Sequence, residues 1–77
     1  MTNLSTPVKE FICHMAMHGW VELPGVGFIV TANGVRLESA FEIFGADAAI
    51  SGSDLIVQGE SARNFMVLYR RAAESSP

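Results

Sequence analysis

Residues 26–44 read VGFIVTANGVRLESAFEIF, and the conformation of this stretch decides the fold. Val26 to Ala32 is rich in strand formers. Asn33-Gly34 follows. It is a strong hairpin signal, because both central residues of a type I′ turn need positive φ. Pairing across that turn sets Ala32 beside Val35, Val30 beside Leu37 and Phe28 beside Ser39. Phe28, Val30, Ala32, Val35 and Leu37 then share one side, the core side, and Ile29, Thr31, Arg36 and Glu38 share the wetter one. Residues 39–50 read two ways. As a continued strand, Phe41 and Ile43 stay on the core side, with Ala40, Glu42 and Phe44 opposite. As a helix, Ser39 and Glu42 form a capping box, and Phe41, Phe44 and Ala48 fall together. Gly45 weakens the interior of either element. The strand is preferred, because the alternation begun at Val35 runs on in phase.

Working outward, the next elements announce themselves locally. Ser51 to Asp54 is a turn, Leu55 to Gln58 a strand, and Gly59 a break. Ser61 then caps a helix whose inner face is Ala62, Phe65, Met66, Tyr69 and Ala73. On the other side, Thr6 reads as an N-cap with Pro7 at the first helical position. Val8, Phe11, Ile12 and Met15 form the apolar stripe of that helix, and Gly19 sits where it should end. Trp20 to Leu23 is a short strand, and Pro24-Gly25 fits the centre of a type II turn. The fold class expected is α+β. It is a two-layer sandwich with an N-terminal helix, an antiparallel meander of three or four strands and a C-terminal helix, both helices on one face of the sheet. The other face is left to solvent or a partner. All 77 residues form one domain in this reading, with 1–5 and 74–77 frayed.

Composition narrows the function. At 77 residues, 49% of them hydrophobic, the chain cannot hold a separate cofactor domain. Its core is modest, and self-association is a common supplement at this size. Cys13 is the only cysteine, so no intrachain disulfide and no all-cysteine zinc site can form. A disulfide-free small domain with no signal-peptide pattern at its start and no long apolar run is expected in the cytoplasm. The net charge is −3. The acids Glu10, Glu22, Glu38, Glu42, Asp47, Asp54 and Glu60 crowd the middle of the chain, where Arg36 is the one base after Lys9. Such a stretch repels nucleic-acid backbones.

No catalytic constellation emerges. His14 and His18 lie four apart on the first helix, a spacing that lets two imidazoles share a metal, but a site needs further ligands. Cys13 points away from them, mid-helix, where nothing activates a thiol. Pro24-Gly25-Val26-Gly27 lacks the lysine and the following helix of a phosphate loop. Arg63, Arg70 and Arg71 spread over the outward side of the last helix. That is a thin footprint for nucleic acid, and a solvated helix face explains it more simply.

The apolar surplus is more informative. Cys13, Met17 and Val67 fall on outward helix faces, Ile29 and Phe44 on the open side of the sheet, and Trp20 at its start. The reading is a non-enzymatic protein-binding module without cofactor or metal. It would be a small regulator or inhibitor of the kind a phage or other mobile element directs at a host protein. Its partner is expected to be basic, docking on Trp20, Ile29, Glu38, Glu42 and Phe44, and a homodimer could cover the open sheet. The alternative is a nucleic-acid-associated protein using Arg63, Arg70 and Arg71.

Overall fold

A computed structural model describes residues 5–75. The first helix, α1, spans Thr6–His18, with Ser5 rather than Thr6 in the cap position. It stops at Gly19, whose φ of 78° suits glycine and whose N–H bonds the Met15 carbonyl. Strands β1 (Val21–Leu23) and β2 (Gly27–Thr31) form a hairpin. Its turn is the expected one: Val26 N–H reaches the Leu23 carbonyl at 2.9 Å, and Gly25 has a φ of 74°.

The chain then departs from the strand reading. Asn33-Gly34 does make a turn, with Val35 N–H on the Ala32 carbonyl, but only Gly34 has positive φ. A type I′ hairpin needs it at both residues, so the chain is not folded back beside β2. Ala32 and Val35 share only that turn bond, and the pairings of Val30 with Leu37 and Phe28 with Ser39 do not form. Instead Leu37–Phe44 is a helix, α2, closed by Gly45. A turn of 3₁₀ helix, Gly45–Asp47, leads into β3 (Ala48–Ser51). Gly52, at a φ of 63°, turns the chain into β4 (Asp54–Gln58). The last helix, α3, spans Glu60–Ser75, so residues 74 and 75 continue it rather than fray. The fraying expected of residues 1–4, 76 and 77 lies outside the described residues.

The architecture is α+β, a four-stranded antiparallel sheet under a layer of helices, with a helix at each end of the chain. The strand order is β1-β2-β4-β3, so β4 lies against β2 and β3 takes the far edge. The core lies between the sheet and all three helices. Phe28, Val30, Leu55 and Val57 face Phe11 and Met15 of α1, Ala40 and Phe44 of α2, and Ala62, Phe65 and Met66 of α3. Tyr69 packs at the margin of the core, while Ala73 of the expected inner face is exposed.

Packing explains why α2 wins over a strand. Leu, Glu and Ala favour a helix, and its turn places Ala40 and Phe44 on one buried side. Phe44 then meets Phe65 at 5.1 Å, Phe11 at 5.2 Å and Phe28 at 5.9 Å between ring centroids. Edge-to-face rings at these distances add to the apolar burial. A strand in the expected phase would have turned Phe44 outward.

Candidate functional site

The helix that replaces the strand changes which groups sit beside the acids. On α2 the inward arc is Ala40 and Phe44. At 100° per residue Leu37 lies beside Phe44 at the edge of that arc, and Phe41, Glu38 and Glu42 follow it outward over about 140°. Leu37 is 41% and Phe41 43% exposed, and both glutamates are exposed. Neither carboxylate is in an ion pair among the described residues. The outcome is one helix face, half apolar and half acidic, with two large side chains in water.

Five positions were expected to bind a partner, and they do not form one surface. Glu38 and Glu42 remain exposed, but on a helix. Phe44 is 3% exposed and belongs to the core, so it cannot be an anchor. Trp20 is half-buried, edge-on to Tyr69 at 5.4 Å and to Phe28 at 6.4 Å, and closes one end of the core. Ile29 lies on the open side of the sheet as expected. The register aligns Val21, Ile29, Ile56 and Ala49 in an apolar row across all four strands there. Val21 is 63% exposed, and a homodimer on this face would lack Phe44.

The exposure of Leu37 and Phe41 escaped the sequence reading, which set both on the core side. A signal was present: Ala40 and Phe44 are four apart, with a glycine immediately after, the mark of a helix ending at Phe44.

The remaining candidates lie apart from this helix face. His14 is buried, and its Nε2–H donates to the Thr31 carbonyl at 2.8 Å, tying α1 to the end of β2. Its ring lies 4.6 Å from that of His18. The bond to Thr31 occupies one nitrogen of His14, and among the described residues no third potential ligand joins the pair. Cys13 is exposed and free. Arg70 pairs with Glu22 of β1 at 3.2 Å, both groups about half exposed, so part of the arginine face is neutralised by the protein itself. Arg63 lines a shallow, open groove with Asp47, Gln58 and Ile56. No helix among the described residues is long and apolar enough to cross a membrane.

Compared with protein-family models, curated proteins and solved structures, the chain matches none.

Proposed function

We propose that the chain is a non-enzymatic protein-binding module that docks through the outward face of α2 on a basic protein with an apolar cleft. One observation carries the reading. Leu37 and Phe41 stand exposed on the same helix as the carboxylates of Glu38 and Glu42, which are in no ion pair among the described residues. Two large apolar groups side by side in water are a cost that a partner's cleft removes. The adjacent acids steer that partner and suppress acidic competitors, nucleic acid among them. Binding would regulate or inhibit the partner by covering its basic surface. The proposed setting is the cytoplasm, where the exposed Cys13 thiol stays reduced.

The test is cross-linking in the source cell with the wild-type chain, Phe41→Ala, and the double variant Glu38→Lys/Glu42→Lys. Both variants should lose a basic protein that the wild type retains. With the purified partner, the charge reversal should slow association and blunt its salt dependence, and Phe41→Ala should speed dissociation. Retention of the same partner by both variants overturns the reading. So does recovery of nucleic acid whose binding depends on Arg63, Arg70 and Arg71.

A further inference from the structure

The edge strand β3 carries backbone hydrogen-bonding groups that its own sheet does not use. Ser51 faces Asp54 across a two-residue turn, so these two exchange the closing bonds of the ladder, and Ala49 and Ile56 exchange the next. The Ala32 N–H on the Ser53 carbonyl, on the far side of β4, keeps the same alternation. The backbones of Ala48 and Ile50 therefore point out of the sheet. The Ala48 N–H is taken by the Gly45 carbonyl. That leaves the Ile50 N–H, the Ile50 carbonyl and the Ala48 carbonyl facing outward.

The two edges of the sheet are not alike. β1 has three residues, its Glu22 is tied to Arg70, and Pro24 follows directly. Charge, proline and shortness are the usual guards of an edge. β3 reads Ala48-Ala49-Ile50-Ser51 and has neither charge nor proline, and its Ile50 is 43% exposed.

We propose that β3 accepts an extended, basic segment of the partner protein as a fifth strand. This rests on the reading of α2 as the docking helix and names the form its partner takes. The occupant follows from charge. α2 is the helix that packs against β3, and it carries Glu38 and Glu42 outward with no ion pair among the described residues. Lysine or arginine on the helix side of an added strand would lay its aliphatic stem along Ile50 and carry its charge to the side of the sheet that α2 covers. Alternate residues would meet Ala49 on the open side, where small apolar groups fit. Pairing β3 with a second copy of itself would instead turn two acidic α2 faces toward each other.

The experiment is a nitrogen-15 NMR titration of the whole chain. The probes are an octapeptide of alternating lysine and valine, and the same peptide with two valines replaced by proline. The expected result is a shift of the Ile50 amide and its protection from solvent exchange by the first peptide, with binding weaker by roughly tenfold for the second. Ile50→Pro should abolish the interaction and keep the fold, because the Ile50 N–H is not part of the β3–β4 ladder. Ile50→Lys, which keeps the N–H and adds a like charge, should weaken binding as well. Equal binding of the two peptides overturns the proposal, as does no binding of either. If Ile50→Pro binds the peptide like wild type while Glu38→Lys/Glu42→Lys does not, strand addition fails and the α2 reading stands. Concentration-dependent protection of Ile50 without peptide gives the edge to a second copy and also overturns the proposal.

Discussion

The Asp47 carboxylate caps a helix to which it does not belong: its Oδ2 accepts the Ser61 N–H of α3 at 3.2 Å. Asp47 ends the 3₁₀ turn after α2, and the β3–β4 hairpin brings the chain back to it. The first amides of a helix lack intrahelical partners, and an anion there also meets the positive end of the dipole. The residue before α3 is Gly59, at a φ of 96°, and it has no side chain to do this work. Asp47→Ala should therefore cost about 0.5–2 kcal/mol, the usual range for a lost N-cap. Trp20, the single tryptophan, lies against Tyr69 of α3 and supplies the fluorescence signal for a urea titration. An unchanged midpoint would show that the contact does nothing for stability.

The elements that were legible are those whose signals are local. Pro7, the apolar stripe and Gly19 delimit α1 within a few positions, and Pro24-Gly25 closes its hairpin unaided. Residues 35–44 were not legible, because two periods coexist there. Val35, Leu37, Phe41 and Ile43 satisfy alternation, and Ala40 and Phe44 satisfy a helical turn. What decides is the meeting of Phe44 with Phe11, Phe28 and Phe65, residues distant in the chain. The candidate site inherited the same ambiguity. Glu38 and Glu42 are exposed on either reading, but the aromatic beside them changes from Phe44 to Phe41. The Asp47 cap is invisible in sequence for a related reason, since it depends on where a hairpin returns.

Gly27 is required for a reason that differs from the turn glycines. A β-carbon built there would run into the backbone carbonyl oxygen of Val57, which a backbone cannot yield cheaply. The expected outcome for Gly27→Ala is a loss of at least about 1–3 kcal/mol, the range for overpacked sites, as β2 is pushed from β4. Thermal unfolding followed by circular dichroism measures it. A variant as stable as wild type would mean that the two strands lie farther apart than described.

Gly34 holds the turn that sends the chain into α2 instead of back along β2. Its φ is 88°, and a β-carbon there would make ordinary van der Waals contact with the His14 and His18 rings, the nearest atom 3.8 Å away. Strain of conformation is thus the main penalty. Gly34→Ala should destabilise by about 1–2 kcal/mol, and Gly34→Asn by less, because asparagine tolerates left-handed backbone better. Equal losses for the two substitutions would point to crowding against the histidines as the cause.

Phe41 and Phe44 separate the helix from the strand that the alternation suggested. On a strand in that phase, Phe41 would be the core residue and Phe44 the exposed one. On α2 the roles are reversed, with Phe44 at 3% exposure and Phe41 at 43%. Phe44→Ala should therefore cost about 3–5 kcal/mol, as for a buried phenylalanine whose cavity cannot fully collapse. Phe41→Ala should lie within about 1 kcal/mol of wild type, because its half-exposed ring contributes only part of that burial. Chemical denaturation of the two variants side by side reads the difference directly. The near-neutral stability expected of Phe41→Ala also makes it the proper probe of docking: a loss of partner with an intact unfolding curve is a loss of surface and not of fold. A Phe41→Ala variant that unfolds as readily as Phe44→Ala would place both rings in the core and remove the apolar half of the docking face.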